Sequence, residues 1–407
     1  MLQEGIYHAP GMRPGRFFAI LFLQASSEVP AGGTLAALWS MYQGLKAGRV
    51  PDLDPVVVPH EDDAMTVLLG VGPNVWDLPG VTAPRPRGFS DDNLFRSPQG
   101  RGGPLLVGSG LRYAPDVVAN PATEHVCIQV IADTKLAVDR AVVESWKVMA
   151  DAVDVDTGVA PLSLVGFYLG VQRSDRRSWI DFHDGLSNLP SGERERVVVT
   201  KAGADEPWCV GGTYLAFLRL AVDLPAWRRL VRRDQELLVG RDKLAGCPLV
   251  AIGDDGTLSA DPACPVADTQ IWQTANDLRY AEPPATVADP ALRASHVHRA
   301  NHHQTVLEDP GSRRIFRQGY EFLEWQESAP GFRLGLNFVS FQDTPARLVR
   351  MLDTQGWLGR VNFGGDPAAQ PEGMAALLSV YAAGIYFVPP HVEGEAFPGA
   401  TALGLGG

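Results

Sequence analysis

The sequence predicts an α+β protein assembled from two similar halves, and three observations predict it. Strand-like apolar runs alternate with helical stretches along the chain. The same rhythm begins again after a polar stretch at residues 191–205. The chain's 407 residues also exceed what one hydrophobic core usually organises. Strands interleaved with helices twice over give two ferredoxin-like halves of the dimeric α+β-barrel type, antiparallel sheets with flanking helices. The division falls into residues 1–200 and 201–407.

In the first half, Phe17–Leu23 (FFAILFL) is an unbroken apolar run of strand length, too short to span a bilayer. A helix follows over Thr34–Lys46. MTVLLGVG (Met65–Gly72) and VCIQVIA (Val126–Ala132) read as strands, then a helix over Thr134–Met149 and a strand over Leu162–Val171 (LSLVGFYLGV). The segment 80–119, rich in Pro, Gly and Arg, has no clean period and reads as an irregular excursion.

The second half opens with the strand GGTYLAFLRLAV (Gly211–Val222) and a helix starting at Leu224 and Pro225. Pro225 suits the first helical turn, where its missing N–H would have had no partner. The basic run Trp227–Lys243 mixes with Asp234 and Glu236 and reads as a solvated helix face. Strands at Ile315–Phe322 and Leu334–Gln342, a helix near Pro345–Leu352 and a strand at Gly384–Pro390 complete the repeat.

With 45% hydrophobic and 20% charged residues the composition is that of a globular protein, and 43 Gly and 32 Pro imply many loops. A net charge of −12 opposes nucleic acid or an anionic membrane as the main partner. Cys127, Cys209, Cys247 and Cys264 lie far apart with no CxxC pair, so reduced thiols in a cytoplasm are expected, with neither a zinc ribbon nor a disulfide framework. No export-signal pattern is found near the N-terminus. A homo-oligomer is left open.

Three residues carry the chemistry. His296 and Arg317 stand twenty-one positions apart in SHVHRANHHQTVLEDPGSRRIFRQGYEF, and Asp184 lies far upstream in DFHDGLSN. An imidazole can ligate haem iron from one face, while a carboxylate and a guanidinium on the other move the peroxide proton and polarise the O–O bond. Each also has a plainer reading: Asp-Gly is a common turn, Arg317 in RRIFRQ could defend a strand edge, and a lone histidine is most often structural. On a strand, Arg317 shares a face with Ile315 and points inward, where it needs a counter-charge. His296, His298, His302 and His303 could alternatively hold zinc or copper, although no further ligand framework accompanies them.

The pieces DFHDGLSN, GGTYLAFLRLAVDLPAW, LLVGRDKLAGCPL, SHVHRAN, RIFRQGYEF and LGLNFVSFQ occur in that order, and over residues 160–345 they resemble the dye-decolourising (DyP-type) haem peroxidases. The resemblance implies a haem b pocket between ferredoxin-like halves and a motif GFxDGxxNP, matched here by Asp184, Gly185 and Asn188. It implies Asp184 as distal carboxylate, His296 as proximal iron ligand and Arg317 as distal arginine. The activity implied is reduction of hydrogen peroxide with oxidation of an organic donor through a ferryl intermediate. Asp181 stands where the motif has Gly and Leu189 where it has Pro, departures in the loop that aims Asp184. His298 and Gln318 stand where relatives more often have basic residues.

Two other readings keep the haem: a specialised biosynthetic oxidation with little peroxidase activity, or a non-enzymatic haem carrier. Asp343 is a candidate orienter of His296, and Trp325, Tyr320 and Trp208 are candidate electron relays. The tail FPGATALGLGG faintly resembles the cargo peptides by which some relatives enter encapsulin shells, although a frayed terminus is expected.

Overall fold

A computed structural model describes residues 1–7, 15–53, 65–90, 95–96, 104–105, 124–175, 177–184, 188–189, 191–262, 264, 287–300, 312–352 and 377–405. Gly185, His302, His303 and most of the 80–119 excursion lie outside the described residues.

The first half contributes β1 (Phe17–Ala25), β2 (Thr66–Val71), the two-residue pair β3 (Phe95–Arg96) and β4 (Pro104–Leu105), β5 (Val126–Ala132) and β6 (Leu162–Val171). The second contributes β7 (Thr213–Val222), a ribbon of β8 (Leu249–Ile252) and β9 (Leu258–Ala260), then β10 (Phe316–Trp325), β11 (Phe332–Gln342) and β12 (Leu378–Val388). Eight strands close a barrel in the order β1-β5-β2-β12-β7-β11-β10-β6. Each half therefore supplies a contiguous antiparallel run in which its fourth, first, third and second long strands follow one another, the ferredoxin-like order. Two narrow seams join the halves, with Val71 opposite Phe387 and Val171 opposite Glu321.

The apolar runs are continuous because both faces of the barrel wall are buried. Phe18, Ile20 and Phe22 of β1 point into the barrel with Phe217, Tyr320, Phe341 and Tyr386, while Ala19, Leu21 and Leu23 pack outward under helices. Helices α1 (Gly32–Lys46) and α2 (Lys135–Asp151) cover that outer face, and the buried Tyr42 and Ser145 hydroxyls bond across them at 2.5 Å. Thr134 caps α2 by accepting the Ala137 N–H at 3.2 Å.

Several expectations are corrected. Helix α3 (Ser191–Val198) was not anticipated, because SGERERVV has no apolar stripe. The basic run is two short helices, α4 (Leu224–Arg229) and α5 (Arg232–Val239), broken at Leu230 and Val231. Asp223 caps the first, and Arg232 pairs with Glu236 at 2.8 Å along the second. β12 begins six residues earlier than expected, since Ala382 and Ala383 interrupt the strand signal and a bulge at Val380/Ala382 breaks the alternation. Cys247 and Cys264 form a disulfide rather than remaining reduced; the β8–β9 ribbon folds their segments together, with Asp261 N–H donating to Pro248 O at 2.8 Å. Cys127 and Cys209 are buried free thiols. The tail is packed rather than frayed: Phe397, Ala400 and Leu403 are buried in the core beside α1. Among the described residues no helix is long and apolar enough to cross a membrane.

Candidate functional site

On the outer face of the second half's sheet, a cavity with about 240 Å³ of room for water-sized groups lies between β10 and β11 on one side and short helices on the other. Leu220, Val222, Leu336, Phe338, Met351 and Leu378 give it apolar walls. His296, Arg317 and Asp184 all line this one cavity.

His296 begins a short helix, His296–Ala300 (α7), which follows another, Pro290–Arg293 (α6). Asp289 starts α6 by accepting the Ala291 N–H at 2.8 Å, with Pro290 in the first turn. The entrance to α7 rests on Gly240, which ends α5 in a left-handed conformation at φ +85°. A Cβ there would lie 2.2 Å from Ser295 Oγ and 2.7 Å from Val297 Cγ2, so only glycine both turns the chain and admits the helix so closely. Burial first, then the nearby Arg317 and Arg241 guanidiniums, push the His296 imidazole down to a pKa of about 3. It is therefore neutral, the form able to donate a nitrogen lone pair to a metal.

The facing wall is β10 and the loop that carries Asp184. Strand alternation puts Arg317, Gly319 and Glu321 on the cavity face of β10, while Phe316, Gln318 and Tyr320 turn into the barrel. Gln318 is fixed there by donating to Gly5 O and Ile6 O at 2.9 and 3.0 Å. The loop docks on the strand through Asn188, whose Nδ2 donates to Arg317 O at 2.8 Å and whose Oδ1 accepts the Arg317 N–H at 3.0 Å. The same Oδ1 accepts the Leu189 N–H at 3.0 Å, a donor that proline at 189 would lack. Asp181, in place of glycine, takes the left-handed conformation itself at φ +68°, and Arg177 donates to its carbonyl at 2.7 Å. Both departures from the motif are thus accommodated locally.

Asp184 leans directly over Gly319: a Cβ at 319 would stand 2.5 Å from Asp184 Oδ2. Burial pulls the Arg317 guanidinium's pKa down while the Asp184 carboxylate opposes that shift. Arg317 thus has its counter-charge in the same cavity.

Other expected roles fall differently. His298 turns away, its Nε2 3.3 Å from Leu249 O, and no group of three metal-ligating side chains is found among the described residues. Asp343 is outside the cavity lining and holds Arg347 at 2.6 Å at the start of the helix Ala346–Leu352 (α8). Of the three candidate relays, Trp325 is exposed, Tyr320 is buried inside the barrel against Phe18, and Trp208 bonds Pro84 O and packs on Phe387. Sequence reasoning missed Glu321 and the cationic side chains Arg241 and Arg313 of the same cavity. Only the period-two alternation of β10 could have placed Glu321 beside Arg317.

The cavity suits a flat apolar macrocycle bearing carboxylates. Aliphatic and aromatic walls face each other, a neutral imidazole enters from a helix, and Arg241 and Arg313 bring positive charge for propionates. Buried Ser178 Oγ and Trp179 Nε1 also line it without a hydrogen-bond partner among the described residues, polar atoms open to a guest.

Comparison with known proteins fits this geometry. A DyP-type peroxidase from Cellulomonas bogoriensis superposes with a TM-score of 0.68 at 19% identity, covering 99% of this chain and 96% of that one. A Rhodococcus jostii DypB variant, solved in complex with heme, matches with a TM-score of 0.57 at 15% identity over 96% of each chain. An Escherichia coli deferrochelatase is 23% identical over 169 residues, 40% of this chain but only 34% of that relative's length. The profile of the Dyp-type peroxidase C-terminal region matches residues 175–393, more than half of the chain, and spans every element that builds the cavity. The chain belongs to the Dyp-type peroxidase family.

Proposed function

We propose that this protein holds haem b in the cavity and reduces hydrogen peroxide at the expense of an organic donor. The observation that carries the reading is the meeting of His296, Arg317 and Asp184 on the walls of one cavity. When bound, the haem supplies the iron at which the peroxide O–O bond breaks with uptake of two electrons, later restored by the donor.

The protein's part is to bind, orient and move a proton. His296, kept neutral by burial, is assigned as the iron ligand. Asp184 Oδ2, poised over Gly319, takes the proton from one peroxide oxygen and returns it to the departing one. Arg317 keeps its proton and stabilises the negative charge that grows on the departing oxygen. Apolar walls exclude bulk water, which strengthens each of these charge interactions. The unit spanning 1–200 brings Asp184, and the unit spanning 201–407 brings His296 and Arg317.

The test is peroxide-driven oxidation of a phenolic or dye donor by the haem-loaded protein. The wild type should turn over, and Arg317→Lys should slow peroxide cleavage by about tenfold to a hundredfold, because an ammonium cannot reproduce the planar fork. An inert wild type, or an unaltered Arg317→Lys rate, contradicts the assignment.

Cytoplasmic residence is part of this proposal, and the Cys247–Cys264 bond makes it testable. Thiol-blocking reagents applied at lysis should label both cysteines if the compartment is reducing. Labelling only after added reductant assigns an oxidising compartment instead.

A further inference from the structure

The cavity holds a second carboxyl that the peroxide reading does not use. Glu321 is 6% exposed and lies two residues beyond Gly319 on the cavity face of β10. Arg317, Gly319 and Glu321 therefore form a row at intervals of about 7 Å. Asp184 sits over the middle member, because glycine there leaves room for its carboxylate. Glu321 is tied to the Asp184 loop as well, its Oε2 accepting the Trp179 N–H at 3.3 Å. Gln172 at the end of β6 braces the same point, donating to Gly319 O at 3.0 Å.

We propose that Glu321 is a second acid of this wall and that Glu321 and Asp184 together hold one proton, which passes between them during turnover. The step balances simply: Glu321 Oε–H loses the proton as an Asp184 oxygen gains it, the pair's charge stays at minus one, and no electron moves. Together with Arg317 the row is then neutral, which suits a buried wall better than two adjacent carboxylates would.

The surroundings support this division. Burial first, then the Asp184 charge, push the Glu321 carboxyl up to about 8, against the Trp179 N–H and Arg173. The titratable and charged groups around it are Arg317 on its own strand, Arg313 and Arg314 just before that strand, and His183, Asp184 and Arg173 from the segment after β6. Helix α7 and the residue after α5's cap bring His296 and Arg241 to the same cavity, while the adjoining β11 contributes apolar Leu336. Neutral Glu321 is thus an acid at pH 7 that ionises as the pH rises through about 8.

The inference rests on the function proposed above, so its test has one arm that needs no turnover. Infrared pH titration of the haem-free protein should show a protonated carboxyl at pH 7 that disappears near pH 8. Glu321→Gln, whose amide oxygen can still accept the Trp179 N–H, should lack that signal. Asp184→Asn should move its loss to lower pH by about one unit, since a like charge has been removed. In the haem-loaded protein, peroxide consumption should fall above pH 8, and Glu321→Gln should abolish that alkaline limb.

A signal that survives Glu321→Gln, or a midpoint that Asp184→Asn does not move, overturns the coupling. An alkaline limb unchanged in Glu321→Gln overturns the role in proton supply. If the infrared results hold while the loaded wild type consumes no peroxide, the shared proton stands and the peroxidase reading is what fails.

Discussion

Replacing His296 with alanine should leave the protein unable to retain haem through gel filtration, with the Soret band lost or greatly weakened. The variant should still fold, because the imidazole faces the cavity and the α7 entrance is built by Gly240, Ser295 and Val297. Among the described residues no other imidazole is placed to take over: His298 is turned toward Leu249 O, and His183 lies beside Asp184. Adding free imidazole to the alanine variant should restore part of the absorption, since it refills the vacated ligand position. Full haem loading with unchanged axial ligation in His296→Ala would remove this residue from its assigned role.

The second large effect belongs to Asp184. Exchanging it for asparagine keeps the side chain's size and its seat over Gly319, yet removes the group that carries the peroxide proton. Stopped-flow mixing with peroxide should show the first step slowed by about a hundredfold or more, with haem affinity unchanged. That separation matters, because a merely structural loop residue would alter binding and rate together. An Asp184→Asn protein reacting at the wild-type rate would mean that another base takes the proton. Glu321 is then the group to remove next, in the double variant with Glu321→Gln.

Much of the barrel was legible because its strands are buried on both faces. FFAILFL, VCIQVIA and LGLNFVSFQ are near-continuous apolar runs bounded by polar or turn residues, and each became a strand within a few residues of the expected limits. β12 was read only in its second part, since two alanines give no strand signal and their place is set by pairing with β7 across a bulge. The disulfide was illegible for a related reason: a ribbon absent from the sequence reading brings Cys247 and Cys264 together.

The site was legible as residue types in a recognisable order, but not as an arrangement. Asp181 and Leu189 looked like losses from the motif, yet the structure shows what each supplies: a backbone that tolerates positive φ, and an N–H for Asn188 Oδ1. Asn188 matched the motif without revealing that it clamps the loop to the backbone of Arg317 itself. Glu321 was invisible, because a glutamate in RQGYEFLEW reads as the solvated side of an edge strand. Only the closure of the barrel and the helices covering its outer face turn that side into a cavity wall.

The absorption spectrum of the haem-reconstituted wild type, recorded before and just after one equivalent of hydrogen peroxide, tests the account most directly. It predicts stoichiometric haem uptake with a Soret band typical of histidine ligation, followed by a rapid spectral change on mixing that an organic donor reverses. A protein that stays colourless in excess haem, or one whose bound haem is indifferent to peroxide, would contradict it.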